Sequence, residues 1–307
     1  MTKSRGVADW GHYPPVNRNL IINGAMQVAQ RGTSFTVGGY GLDRWKTFNA
    51  GGTHTLSRQS FDPGDSIEVG LDTYVRLVRA SPSGIYYFSQ RIEDVRKSDG
   101  ATLTLSFYGK ASSATTVPCR ITQEFGSGGS SGVNTDQQNN NLTTSWQRFT
   151  MTFSMPSLSG KTIGAGSCFE PVFDIPPTTA TIEITGVKLE VGDTATPFEC
   201  RSYGDELALC QRYYQTLINK NTPLTPTGNG GNSSTGNLML MSEMRSPPAC
   251  SLVGTTTIFI TGVSTTPTVI NFTSITTKEI SIQPRSTSAY GDSVCVHSIE
   301  LSMDAEL

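Results

Sequence analysis

The chain has 307 residues, of which 36% are hydrophobic and only 16% are charged, and its formal net charge is −2. The sequence lacks the basic cluster that a phosphate backbone requires, which argues against nucleic acid as a partner. It also lacks an apolar run of the roughly 20 residues that a membrane helix needs, and residues 1–11 lack the apolar core of a signal peptide. We therefore expect synthesis in a cytoplasm and no membrane insertion.

Glycine, serine, threonine and asparagine replace much of the missing charge. This composition is typical of short strands joined by many turns, whereas long amphipathic helices need Glu, Lys, Ala and Leu. A chain of this length exceeds one small core, so the composition predicts a β-rich protein of two domains.

Residues 1–18 show little apolar periodicity and include His12-Tyr13-Pro14-Pro15. They predict an extended arm, which is either a disordered tail or a segment that docks on another chain. Asn19 opens the first domain, and three apolar residues then lead into Asn23-Gly24, a turn signal.

Short strands are predicted through the rest of this domain. Leu103, Leu105 and Phe107 alternate with polar residues, the period of a half-buried strand, and a polar loop over Gly126–Asn141 interrupts the series. About ten short strands without intervening helices indicate an antiparallel sandwich. The main predicted strands are Trp45–Asn49, Thr53–Gln59, Tyr74–Arg79, Tyr86–Ile92, Thr102–Lys110, Pro118–Phe125, Trp146–Phe153, Ser167–Phe173 and Thr181–Glu190.

One helix is predicted after the sandwich. Ser202 and Asp205 have the spacing of a capping box, and apolar residues recur at helical spacing as far as Leu217, so we expect a helix over about Asp205–Leu217. Residues 218–236 are rich in turn-forming residues, and a small β region follows. Its predicted strands are Leu238–Met241, Ala249–Leu252, Thr256–Thr261, Val269–Phe272, Glu279–Gln283 and Val294–Leu301.

The cysteines and histidines do not predict a metal site. No Cys-x-x-Cys pair occurs, and the three histidines are widely separated, whereas zinc ligands come in close pairs. We expect buried reduced thiols, with disulfides as the alternative that cytoplasmic synthesis disfavours. The six cysteines are Cys119, Cys168, Cys200, Cys210, Cys250 and Cys295.

Groups for catalysis are also hard to find in the sequence. No Ser-His-Asp grouping is readable, and Gly126-Ser127-Gly128-Gly129 lacks the Lys-Ser or Lys-Thr of a phosphate loop. Glycan cleavage would need two carboxylates a few ångströms apart, but we expect the candidates to be solvated surface charges. We predict no catalytic residue, no cofactor and no metal. The candidate carboxylates are Asp62, Asp65, Glu68, Asp72, Glu93, Asp94 and Asp99.

Sugar binding without chemistry needs an aromatic platform beside hydrogen-bonding side chains. Tyr40 near Trp45, and the adjacent pair Tyr86 and Tyr87, are the best candidates. On an alternating strand one of Tyr86 and Tyr87 must face outward. The alternative for each ring is packing in the core or between subunits, because aromatic side chains bury large areas.

Several stretches resemble carbohydrate-binding-module jelly rolls and the phage fibre domains built on them. The segment after this domain is similar to the exit helix of many phage tail proteins. The matching stretches are Asn19–Gly24 with Arg31-Gly32, Leu42-Asp43-Arg44-Trp45, Thr102–Ala111, Thr144–Phe149, Ile184–Gly192 with Thr196–Glu199, and Ser202–Tyr214.

The sequence departs from the sugar-binding modules at one point. Those modules often carry Phe-Glu after the first Asn-Gly and an Asp in the closing strand, which help to hold a structural calcium. Here the same places read Met26-Gln27 and Thr185-Gly186. Since Ca²⁺ needs several oxygen ligands, we expect no metal at this position.

The expected fold is all-β: an antiparallel jelly-roll sandwich followed by one linking helix and a smaller C-terminal β domain. The ranges are 1–18 for an N-terminal docking arm, 19–201 for the jelly roll, 202–218 for the helix and 219–307 for the last domain. The resemblance implies a non-enzymatic tail-fibre protein of a phage virion, made in the host cytoplasm. It also implies a homotrimer that docks on other virion proteins through the arm and contributes to attachment to host-surface glycan.

Three other functions are compatible with the sequence. The first is a capsid decoration or head-fibre protein without receptor binding. The second is a soluble carbohydrate-binding module, and the third is an endoglycosidase, although the chain lacks the long repeats of a depolymerase β-helix.

Overall fold

The computed structural model describes residues 18–36, 38–62, 67, 71–80, 84–177, 179–227, 233–252, 257–260, 263–265, 269–285 and 295–307. All but the last residue of the predicted docking arm lies outside these ranges. The chain divides into two compact units, residues 1–206 together with Leu307, and residues 207–306.

The first unit consists of short strands joined by turns and loops. A 3₁₀ helix, Val95–Ser98, is capped by the side chain of Asp94. The strands are β1 (Ser34–Phe35), β2 (Gly39–Tyr40), β3 (Lys46–Ala50), β4 (His54–Ser60), β5 (Thr73–Arg79), β6 (Ile85–Ser89), β7 (Ile92–Glu93), β8 (Thr102–Ala111), β9 (Thr115–Glu124), β10 (Val133–Asn134), β11 (Gln138–Leu142), β12 (Gln147–Ser154), β13 (Cys168–Asp174) and β14 (Ile182–Val191).

These strands form two antiparallel sheets. In the described part of the chain, sheet A has the order β1-β4-β5-β14-β8-β12, and sheet B has the order β10-β9-β13-β6-β3-β2 with β11 on β9 and β7 on β13. The chain crosses repeatedly between the sheets, since β8, β12 and β14 belong to sheet A while β9 and β13 belong to sheet B. This alternation is the topology of a jelly roll, as the sequence predicted.

The core lies between the two sheets. Leu103, Leu105 and Phe107, which the alternation of β8 directs to one face, are fully buried there. The indole of Trp45 stacks on the ring of Phe88 with 4.5 Å between the centroids and an interplanar angle of 11°. Fully burying one such apolar side chain contributes about 1.5–3 kcal/mol, so this layer dominates the stability of the unit.

The sequence predicted a loop over residues 126–141, but part of this polar stretch forms strands. Its residues form β10 and part of β11, and both strands pair with β9. Asn140 is buried on β11, and its amide donates to the carbonyl oxygen of Val117 at 3.2 Å. A partner strand therefore overrides the low strand propensity of Asn and Gln.

The predicted helix is shorter than expected. It is α1, Tyr203–Gln211, and the range 212–218 assigned to it is wrong, because strand β15 (Tyr214–Thr227) begins three residues later. The predicted cap is confirmed, since Ser202 Oγ accepts from the backbone N–H of Asp205 at 3.2 Å. Among the described residues, no helix has the length and apolarity to cross a membrane.

The second unit is an antiparallel sheet in its described part. Its order is β19-β18-β22-β15-β16-β21-β20, with β17 on β22. Leu238, Ile280, Leu301 and Met303 form its small core. The strands after β15 are β16 (Ser233–Met239), β17 (Ala249–Leu252), β18 (Thr257–Ile260), β19 (Val263–Thr265), β20 (Val269–Ile275), β21 (Glu279–Arg285) and β22 (Cys295–Asp304).

The thiols follow the prediction in part. Cys119, Cys168 and Cys210 are buried, Cys250 is half-buried, and Cys200 is exposed. Cys200 therefore contradicts the expectation of a buried thiol, because it lies in the extended segment between β14 and α1 rather than in a sheet. The side chain of Cys295 lies outside the described residues.

Candidate functional site

The structure separates the three predicted glycan-binding tyrosines. Tyr86 points into the sandwich and is 2% exposed, with its ring 4.2 Å from the imidazole of His54. It is a core residue and cannot contact a ligand on the surface. Tyr87 follows on the same strand and faces outward, so alternation places the two rings on opposite sides of sheet B.

Tyr40 lies on the same outer face as Tyr87, nearer the edge of the sheet. In the strand register, Tyr40 lies opposite Lys46 of β3. Lys46 in turn lies opposite Ser89 of β6, the strand that carries Tyr87. The guanidinium of Arg31 lies 5.6 Å from the centroid of the Tyr40 ring. The Tyr40 hydroxyl donates to the main-chain oxygen of Leu307 at 3.1 Å, so this phenol already has a partner.

A residue that the sequence did not single out completes the platform. Phe48 lies directly opposite Tyr87, and the two rings stack with 4.9 Å between centroids and an interplanar angle of 11°. Phe48 is 43% exposed, and Ile85, two residues from Tyr87, is 61% exposed. Large exposed apolar groups on a strand face mark a binding surface when they are contiguous.

Charged groups border this platform on one side. The guanidinium of Arg120 lies 5.9 Å from the Tyr87 ring centroid and forms an ion pair with Asp174. Asp174 also accepts a hydrogen bond from the Gln137 amide at 2.6 Å. We call the surface formed by Tyr40, Phe48, Tyr87, Arg120 and Asp174 the aromatic face.

A second ion cluster on the same sheet consists of Lys46, Arg91 and Glu170. Glu170 is 3% exposed and is 3.5 Å from the Lys46 ammonium and 3.7 Å from the Arg91 guanidinium. Burial lowers the pKa of Lys46, and Glu170 opposes part of that shift. Burial, and then Glu170, raise the pKa of Tyr87, so its hydroxyl stays a hydrogen-bond donor at neutral pH.

This arrangement suits recognition of a polar ring. An exposed aromatic ring packs against the C–H surface of a sugar. A guanidinium donates hydrogen bonds to the sugar hydroxyls, and a carboxylate accepts hydrogen bonds from them. The charges of the Arg120–Asp174 pair cancel, so this pair does not by itself select an anion.

Two of the carboxylates considered for catalysis accept hydrogen bonds from backbone N–H groups. Asp94 caps the 3₁₀ helix by accepting from the backbone N–H of Arg96 at 3.0 Å. Asp99 accepts from the backbone N–H of Leu158 at 2.9 Å. Asp65 and Glu68 lie outside the described residues.

Two of the sequence motifs are structural. Asn23 has a positive φ of 58°, and its side chain holds the backbone of Val28 and Asp43 by three hydrogen bonds of 2.9–3.0 Å. The Trp45 indole donates to the Asn23 carbonyl oxygen at 2.9 Å. A Cβ on Gly24 would lie 2.2 Å from the carbonyl oxygen of Val187, so only glycine fits this position.

Two threonine hydroxyls are hydrogen-bonded at Thr185, where the sequence has no calcium-binding carboxylate. Thr185 Oγ1 donates to the carbonyl oxygen of Thr73 at 2.7 Å, and Thr73 Oγ1 donates to that of Ala25 at 2.7 Å. Among the described residues, no three His, Cys, Asp or Glu side chains come together in a way that could hold a metal ion.

Comparisons with known proteins find several solved structures that match this chain at low identity. No protein-family model matches the sequence, and no curated protein matches it. The enzymatically active domain of tailspike protein 4 from bacteriophage CBA120 is 16% identical, with a TM-score of 0.39, over 57% of this chain and 22% of that chain.

Two of the structural matches are complexes of carbohydrate-binding modules. The family 11 module from Clostridium thermocellum with a mixed-linked tetrasaccharide is 13% identical, with a TM-score of 0.36, over 53% of this chain and 98% of that one. TmCBM61 with β-1,4-galactotriose is 11% identical, with a TM-score of 0.35, over 57% and 100%. The function proposed below therefore depends on the side chains of this chain.

Proposed function

We propose that this chain is a non-enzymatic glycan-binding protein of the tail-fibre class, carried on a phage particle after synthesis in the host cytoplasm. The observation that carries the binding function is the stacked pair of Phe48 and Tyr87 beside the Arg120–Asp174 ion pair. It supplies an apolar platform and hydrogen-bonding groups on one exposed strand face.

The assignment to a virion rests on the phage-like segments of the sequence. The homotrimer and the docking of residues 1–18 on other virion proteins stay predictions. Location of the chain in purified particles by labelling its C-terminus would separate a tail fibre from a head-fibre or capsid decoration protein.

The binding function is tested by screening the full chain against a glycan array and host polysaccharide. For the best glycan, we expect Phe48→Ala and Tyr87→Ala each to weaken binding about tenfold, because a stacked ring contributes on the order of 1 kcal/mol beyond its buried area. Tyr203→Ala is the matched control, since Tyr203 is a 56% exposed tyrosine outside the aromatic face.

Two results would contradict the proposal. One is the absence of any bound glycan, and the other is unchanged affinity in the Phe48→Ala/Tyr87→Ala double variant. Release of reducing sugar from the bound polysaccharide by the purified chain would contradict the non-enzymatic part alone.

A further inference from the structure

The outer face of sheet A carries a second aromatic cluster. The rings of Phe61, Tyr74 and Trp146 contact one another with centroid distances of 4.9–5.4 Å. Tyr74 alternates on β5 with Val75, which belongs to the core between the sheets, so the cluster lies on the opposite side of the sheet.

A charged group borders this cluster. Glu183 of β14 is 5% exposed, and its two carboxylate oxygens lie 2.7 Å from Arg76 Nε and 3.0 Å from Lys110 Nζ. The Lys110 ammonium lies 5.2 Å from the centroid of the Trp146 ring, in the range of a cation–π contact. Two cations share one carboxylate, so the group has one positive charge in excess.

A cleft of about 200 Å³ opens beside this group. Its walls combine the ion pair with hydroxyl side chains, and its size suits one sugar ring rather than a larger ligand. The lining residues are Lys110, Ala111, Ser112, Thr144, Thr181 and Glu183.

We propose that this cleft binds a carboxylated sugar unit, such as a uronic acid. The Lys110 ammonium forms an ion pair with Glu183 at 3.0 Å and has three N–H donors, so it can also donate to the ligand carboxylate. Thr144 and Thr181 line the cleft, and Trp146 is a positioning residue that holds the ammonium at the cleft wall. The site lies on the other sheet from the aromatic face and does not depend on the function proposed for it.

The experiment is an NMR titration of the full chain with methyl glucuronide, methyl glucoside and sodium acetate. The indole N–H of Trp146, assigned by its loss in Trp146→Phe, reports on the cleft because Lys110 lies over that ring. We expect methyl glucuronide to bind at least about tenfold more tightly than methyl glucoside, the effect of one charge-assisted hydrogen bond. Acetate should bind more weakly than the glucuronide.

Lys110→Met should remove the preference for the charged sugar, while Lys110→Arg should keep it. Lys161→Met is the matched control, because Lys161 is an exposed lysine 5.7 Å from the ring centroid of Phe125, away from the cleft. The melting temperature of each variant checks its folding, and Thr144→Val probes the cleft without disturbing the ion pair.

Equal binding of the two glycosides overturns the inference, and so does acetate binding as tight as that of the glucuronide. Loss of glucuronide binding in Tyr87→Ala with retention in Lys110→Met would assign the ligand to the aromatic face. That result would refute the cleft and leave the proposed function standing. If the glycan-array test fails but the Lys110-dependent preference is intact, the proposed function is refuted and the cleft stands.

Discussion

Two threonine hydroxyls hold three segments of the sandwich together. Thr185 is fully buried and Thr73 is 5% exposed, and their hydroxyls link β14, β5 and the Asn23 loop through backbone carbonyl oxygens. A buried carbonyl that accepts a hydroxyl is satisfied without a cation. The absence of carboxylates at Met26-Gln27 and Thr185 is readable in the sequence, but the hydroxyl chain depends on the register of three separate segments.

The first residue-scale prediction concerns this chain of hydroxyls. Thr185→Val removes the donor from a buried hydrogen bond at constant volume, so we expect the free energy of unfolding to fall by about 1–2 kcal/mol in urea denaturation. Addition of EDTA to the unmodified protein should leave its denaturation midpoint unchanged.

The control for that substitution is Thr150→Val, an exposed position on β12, which should change stability by less than about 0.5 kcal/mol. A drop in stability on chelation would show that an ion holds this region. Equal stability of Thr185→Val and the unmodified chain would show that the hydroxyl contributes nothing.

At the scale of elements, the strands of the first unit follow from local alternation. β8 was expected over Thr102–Lys110 and spans Thr102–Ala111, because its apolar residues repeat every second position and need no distant information. The same alternation requires one of Tyr86 and Tyr87 to face outward. Which of them does so is set by the pairing of β6 with β3 and β13, which a sequence alone does not show.

The end of α1 was missed for a related reason. Leu207, Cys210, Tyr214 and Leu217 fit a helical spacing, yet the last two belong to β15. β15 pairs with β22, about eighty residues further along, and that partner satisfies the backbone groups that a longer helix would have used. Phe48 was missed because a single aromatic between Thr47 and Asn49 acquires meaning only when Tyr87 lies opposite.

An element-scale prediction concerns the first turn of α1. Glu206 is 3% exposed, accepts from the Asn23 backbone N–H at 2.6 Å and pairs with Arg201 at 3.1 Å. Glu206→Ala leaves both groups without this acceptor, so we expect a loss of about 2–3 kcal/mol in urea denaturation. Glu199→Ala, at an exposed carboxylate nearby, should cost less than about 0.5 kcal/mol. Matching losses in the two variants would contradict the structural role of Glu206.

At the scale of the whole molecule, the sandwich encloses a polar cluster next to its apolar core. His54 is 2% exposed, and neither of its ring nitrogens has a hydrogen-bond partner among the described residues. Arg79, 3% exposed, donates to the carbonyl oxygens of Ile175 and Gly84. Burial, and then the Arg79 guanidinium, lower the pKa of His54, so the folded protein keeps this imidazole neutral.

This cluster predicts that the molecule loses stability in mild acid. The unfolded chain takes up a proton at His54 near its ordinary pKa of about 6.5, while the folded chain resists protonation until a lower pH. Stability therefore falls as the pH drops through the pKa of His54 in the unfolded chain, and the melting temperature should decrease between about pH 7 and pH 5.

His54→Phe keeps a ring against Tyr86 and removes the titrating group, so its melting temperature should depend less on pH over this range. Identical slopes for His54→Phe and the unmodified protein would show that another group causes the acid sensitivity.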